Sequence, residues 1–98
     1  MTDHDLDQRV QALAERLEAR GRWVSLDGRI NEPDAAELVG VSPRTFRNWR
    51  DEGRGPVFVL VGRRMTFRIS DLLRWLDERT HNPSAANGNS RKDAERAA

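Results

Sequence analysis

Residues 35–49 read Ala35-Ala36-Glu37-Leu38-Val39-Gly40-Val41-Ser42-Pro43-Arg44-Thr45-Phe46-Arg47-Asn48-Trp49, and this stretch decides the fold. Ala35, Ala36, Leu38 and Val39 give a short apolar helical face that breaks at Gly40, a residue suited to the left-handed conformation in which helices end. A second helix begins two residues later. Ser42 is placed to cap it, and Pro43 fits its first position, where no backbone N–H is needed. Phe46 and Trp49 are spaced to face inward, and Gly53 ends the helix. Two short helices joined by a tight, glycine-containing turn form a helix-turn-helix unit.

Upstream, Asn31-Glu32-Pro33-Asp34 is a helix start, with Asn31 as the expected cap and Asp34 placed for a capping-box-like pairing. Arg22 to Arg29 reads as a connector, in which Trp23, Val24 and Leu26 are extended and Asp27-Gly28 is a turn. The N-terminal stretch predicts an amphipathic helix. Leu6, Val10, Leu13 and Leu17 recur at spacings of four, three and four, on one stripe. Asp3 and Asp5 suit the positive end of its dipole, Arg16 and Arg20 the negative end, and Gly21 ends it. Two heptads do not sustain an independent coiled coil, so the stripe must be covered. Packing on its own domain is the favoured reading; a dimer contact is the alternative.

Downstream, a polar turn at Arg54-Gly55-Pro56 leads into Val57-Phe58-Val59-Leu60-Val61, too short and β-branched for a helix. Gly62-Arg63-Arg64 turns the chain, and Met65 to Ile69 returns as the partner strand. Ser70 is the expected cap of a last helix, Asp71 to Arg79, with Leu72, Leu73, Trp75 and Leu76 on its apolar face. His81-Asn82-Pro83 stops that helix. Ser84 to Ala98 lacks an apolar period and reads as a disordered tail. The expected fold is mainly α with a small β-hairpin wing. It divides into residues 1–27 (amphipathic helix and connector), 28–80 (winged helix-turn-helix) and 81–98 (tail).

The 98 residues suffice for one domain. With no cysteine, neither disulfides nor a thiolate metal site can hold it together. No apolar run approaches the ~20 residues of a membrane span, and Thr2-Asp3-His4-Asp5 is no signal sequence, so a cytoplasmic protein is expected, away from membranes. Net charge is only +1, but its distribution is uneven. Ser42 to Arg68 holds seven arginines (44, 47, 50, 54, 63, 64 and 68) against Asp51 and Glu52, a local charge of +5. Arginine is nearly the sole cation, Lys92 being the one lysine, and its planar fork suits guanine and phosphate. Chemistry finds no support. His4 and His81 are far apart, and no nucleophile triad, metal-ligand spacing or phosphate-binding glycine loop occurs, so no enzyme, cofactor or metal is expected.

Residues 35–49 resemble the helix-turn-helix of excisionase and AlpA-type regulators, small relatives of the MerR winged-helix fold. Gly55-Pro56, Val61-Gly62-Arg63-Arg64, Phe67-Arg68, Ser70-Asp71-Leu72 and Trp75-Leu76 are similar to the same family's wing and closing helix. The match covers about half the chain, in the right order. The resemblance implies that the second helix enters the major groove of duplex DNA while the wing touches the neighbouring minor groove. The DNA-binding residues are then Ser42, Arg44, Thr45, Arg47, Asn48 and Arg50 on the helix, with Gly62, Arg63, Arg64 and Arg68 on the wing. At ~100° per residue, Arg44, Arg47 and Asn48 point away from Phe46; the arginines suit guanine and Asn48 adenine, while Thr45 on the flank suits phosphate. Leu60 and Thr66 fall where family members often carry basic residues, leaving minor-groove anchoring to Arg63 and Arg64. Trp23, Trp49 and Trp75 are expected in the core.

The function implied is sequence-specific binding of double-stranded DNA by a phage- or mobile-element-type protein, either an excisionase (recombination directionality factor) or a small transcription regulator. Its partners would be DNA, an integrase or recombinase, and neighbouring copies on DNA, with a monomer expected in solution. The alternatives are a recognition subunit for phage DNA packaging, resembling terminase small subunits, and a protein-interaction module acting through the N-terminal helix.

Overall fold

A computed structural model describes residues 2–79. Its elements are α1 (Asp3–Ala19), β1 (Arg29–Asn31), α2 (Glu32–Val39), α3 (Pro43–Asp51), β2 (Val59–Val61), β3 (Arg64–Arg68) and α4 (Ile69–Arg79). The expected tail, residues 81–98, lies outside the described residues. The winged helix-turn-helix architecture is as expected from the sequence, with one strand more than a hairpin.

That strand is β1. It pairs antiparallel with β3, giving a three-stranded sheet in the order β1-β3-β2. Arg29 stands opposite Arg68, Ile30 opposite Phe67 and Asn31 opposite Thr66. Cross-strand partners share a face, so Ile30 and Phe67, both fully buried, enter the core together. The flanking backbone extends this seam, because Ile69 N–H donates to the Gly28 carbonyl at 2.9 Å.

α1 closes over the same core. Thr2 caps it by accepting from the Asp5 N–H at 3.1 Å, and Leu6 and Leu17 are buried, with Val10, Leu13 and Ala14 packed beside them. The helix rests on α4. Two ion pairs bind the end of α1 and the connector to α2: Arg20 to Glu37 at 3.0 Å and Arg22 to Asp34 at 3.5 Å. The apolar stripe is thus covered within the chain itself.

The α2–α3 turn follows its sequence. Gly40 adopts φ +96°, and the N–H groups of Gly40 and Val41 both reach back to the Ala36 carbonyl, closing α2 with the left-handed residue that a Cβ would disfavour. Ala35 and Ala36 are fully buried, small enough to let α2 approach α3 and the sheet.

Several local expectations are corrected. The Asn31 side chain makes no capping hydrogen bond. Asp34 is buried against Arg22 and completes no capping box; the ion pair across the fold outcompetes the local turn. β2 begins at Val59 and β3 at Arg64, and β3 runs directly into α4 at Ile69, so Ser70 lies inside that helix and does not cap it. Trp23 is 38% exposed and outside the core.

Candidate nucleic-acid interface

The rotation of α3 about its own axis decides which side chains it offers to solvent. Its start is fixed by Ser42, whose Oγ accepts from the Thr45 N–H at 3.1 Å and donates to Thr45 Oγ1 at 3.0 Å. Its inner face is fixed by two aromatic contacts. Phe46 meets Phe67 edge-on with ring centroids 5.1 Å apart, and Trp49 packs against Trp75 at 5.7 Å. With Phe46 and Trp49 held inward, Arg44, Arg47 and Asn48 are left exposed on the opposite face, while Thr45 is half-buried on the flank.

The arginines of this segment differ in what holds them. Arg50 is engaged at every nitrogen. Its Nε lies 3.1 Å from Glu32 Oε2, its Nη1 donates to Met65 Sδ at 2.9 Å, and its Nη2 faces Asp51 at 3.6 Å. Its side chain is 21% exposed, and the contact with Glu32 is an ionic one off the hydrogen-bonding line. Arg50 therefore joins α3 to α2 and β3. Arg47 forms a longer ion pair with Glu32, Nε to Oε1 at 3.6 Å, beyond hydrogen-bonding distance, and stays 59% exposed. Arg54 pairs with Glu52 at 2.9 Å. Arg44 and Asn48 have no such partner among the described residues.

On the wing, Gly62 supplies φ +62° at the first position of a two-residue turn, with Val61 and Arg64 paired across its base. A glycine with positive φ followed by a residue with negative φ suits the twist of a tight hairpin. Arg63 is exposed at the turn. Arg64 stands at the start of β3, next to the turn, its guanidinium 4.8 Å from the centre of the Trp23 ring in a cation–π contact. Arg68 faces Asp71 at 3.8 Å. Thr66 is fully buried, its Oγ1 donating to the Val59 carbonyl at 2.8 Å and accepting from Arg29 Nη1 at 3.2 Å. Arg29 is held in place by Asp27. Hydrogen bonds from Ser25, then from Arg29, keep the Asp27 carboxyl below its ordinary range.

The family model of the helix-turn-helix domain matches residues 31–80, half the chain. The chain belongs to this helix-turn-helix domain family. The resemblance to excisionase and AlpA-type regulators is borne out at this level, and the membership supports sequence-specific DNA binding in general. No curated protein and no solved structure matches the chain. No helix among the described residues is long and apolar enough to cross a membrane.

Within this helix-turn-helix protein the residues named from sequence form two groups. Ser42, Arg44, Thr45, Arg47 and Asn48 are together on or beside the outer side of α3, and Gly62 and Arg63 form the wing turn. Arg50, Arg64 and Arg68 instead face protein partners. Sequence reasoning missed Glu32, Trp23 and Arg29. Glu32 reads as an ordinary first-turn acid of α2, and nothing local links it to arginines of the next helix. Trp23 lies beside apolar residues, which favours a core reading until the wing folds back across it.

Proposed function

We propose that this protein reads double-stranded DNA by sequence, with α3 in the major groove and the Gly62-Arg63 turn in the adjoining minor groove. It acts in this reading as a recombination directionality factor or a small transcription regulator of the phage or mobile-element type. The observation that carries the proposal is the outer face of α3. Arg44, Arg47 and Asn48 are held clear of the core by two aromatic anchors, and they are the residue types that pair bidentately with guanine and adenine edges. Ser42 and Thr45 at the helix start would position the module on phosphate, and Arg63 would enter a narrow minor groove.

A module of this size buries roughly 600–1,000 Å² on DNA, which limits its single-site affinity. Cooperation between copies on tandem sites, or with a recombinase, would supply the remainder, the free protein being a monomer. The alternative in which the N-terminal helix is the working surface finds less support, since its apolar stripe packs into the core of its own chain.

The test is selection from a randomised duplex library, followed by binding across a salt series. The parent should yield a preferred duplex and bind more weakly as salt rises, because arginine displaces counterions from phosphate. Arg44→Ala should cost about 1–3 kcal/mol on that duplex and relax preference at one base pair. Equal losses on preferred and random DNA would remove α3 from the groove.

A further inference from the structure

Glu32 lies at the start of α2, yet its carboxylate is directed at α3. Its side chain is only 15% exposed, and each oxygen faces a different arginine: Oε2 is 3.1 Å from Arg50 Nε, and Oε1 is 3.6 Å from Arg47 Nε. The two arginines differ in what remains. Arg50 has Met65 and Asp51 on its other nitrogens. Arg47 has no further partner among the described residues and its side chain is 59% exposed, so no protein group engages Nη1 and Nη2.

We propose that Glu32 is a positioning residue for base reading: anchored by Arg50, it holds Arg47 by Nε and leaves the Nη1/Nη2 fork to address a guanine edge. The inference rests on the DNA-reading function proposed above. Three physical effects follow from the geometry. A long, exposed arginine gives up rotamer freedom when it docks, and a partner that orders it beforehand removes part of that cost. Guanine presents two acceptors side by side, O6 and N7, which match a guanidinium edge held at a set angle. The carboxylate also offsets one positive charge beside the groove, lowering the attraction to phosphate that is common to all sequences. The first two raise discrimination, and the third lowers affinity for all duplexes alike without altering discrimination.

Glu32→Gln has the same shape and isolates the effect. Its amide offers one oxygen, which the more buried Arg50 takes, turning the NH₂ group toward Arg47. Full-length parent and variants are titrated with the duplex selected by the parent and with each of its single-base-pair changes, at a temperature where circular dichroism shows all to be folded. Arg47→Ala in the parent first identifies the base pair that Arg47 reads. At that pair, Glu32→Gln should lower discrimination by about tenfold, a typical value for one bidentate contact, while binding to random duplex tightens. In the double variant the two losses should not add. Glu52→Gln, which removes a charge at the end of the same helix and whose side chain pairs with Arg54 and with neither Arg47 nor Arg50, should tighten binding and leave discrimination intact. Glu32→Asp keeps the charge but is one methylene shorter and cannot reach both arginines, so it should lose discrimination at the same pair without tightening binding to random duplex; this arm decides the matter if Glu32→Gln does not fold.

Retained discrimination in Glu32→Gln, or in Glu32→Asp where that arm decides, overturns the proposal. So does an Arg47→Ala loss that is equally large with and without Glu32. A parent that selects no duplex and binds without salt dependence overturns the DNA-reading function itself, and this inference with it.

Discussion

Phe46 links the core to the proposed reading face, so two substitutions there test both. The ring is 1% exposed and meets Phe67 edge-on at 5.1 Å. A domain the size of residues 2–79 has a stability of about 4–12 kcal/mol at ~0.05–0.15 kcal/mol per residue. Phe46→Ala removes a fully buried ring and leaves a cavity, costing about 3–5 kcal/mol, which leaves a domain of this size marginal or unfolded. Phe46→Leu keeps most of the volume but loses the aromatic pair, for a net cost of about 1–2 kcal/mol. At ~4–8 °C per kcal/mol for a domain of this size, the midpoint should fall by roughly 5–15 °C. Thermal melts followed by far-UV circular dichroism measure this directly. DNA titration well below the lowered midpoint should find Phe46→Leu discriminating as the parent does, since Trp49 and the Ser42 cap still set the rotation of α3. An unchanged midpoint in Phe46→Leu, or lost discrimination in the folded variant, would refute this account of how the helix is aimed.

Three further outcomes are expected. Leu13→Asp, which sets a carboxylate against the core beneath α1, should lower the melting midpoint by an amount independent of protein concentration; a stable dimer that dissolves while the fold survives would make α1 an interface instead. Arg63→Ala should weaken binding to all duplexes about evenly and reduce the slope of log K against log salt by about 0.9; a loss confined to one base pair would place Arg63 on a base edge. Asp27 has a carboxyl pKa below its ordinary 3.8 in the folded chain, so its stabilising contribution is complete above that value and disappears as pH falls through the folded pKa. Denaturation curves of the parent and Asp27→Asn, compared between about pH 5 and pH 2, should therefore converge at the acid end.

Where a local pattern was enough, the sequence was legible. The period of α1, the glycine turn between α2 and α3, the Ser42 cap and the Gly62 hairpin each depend on residues a few positions apart, and each stands where the residues predict. The third strand was not legible. Arg29-Ile30-Asn31 is three residues with one apolar side chain, too short a run to declare a period, and is a strand because Phe67 and Thr66 lie beside it. Asn31 failed as a capping side chain, although the residue type suits that position. On the candidate interface, the composition of the outer face of α3 could be read from helical spacing alone. The partners of Arg50 and Arg64 could not. Glu32, Met65 and Trp23 reach them only after the chain has folded back, so arginines of one type in one segment divide into those with protein partners and those left facing solvent.

Pairing of β1 with β3 has a consequence for how the domain comes together. The strands bracket α2, α3 and β2, so this seam closes a loop of some 35 residues, at an entropic cost of roughly 3 kcal/mol from loop length. Helices the length of α2 and α3 form on a sub-microsecond scale but are marginal alone, and their relative orientation becomes permanent only when Ile30 and Phe67 meet. Assembly should therefore be limited by this distant encounter, not by helix growth. The same seam means that a chain severed at the Arg54-Gly55 turn has one edge of the sheet on each piece. The two fragments carry complementary strands and a shared core, the requirements for reassociation into a working whole without a covalent link.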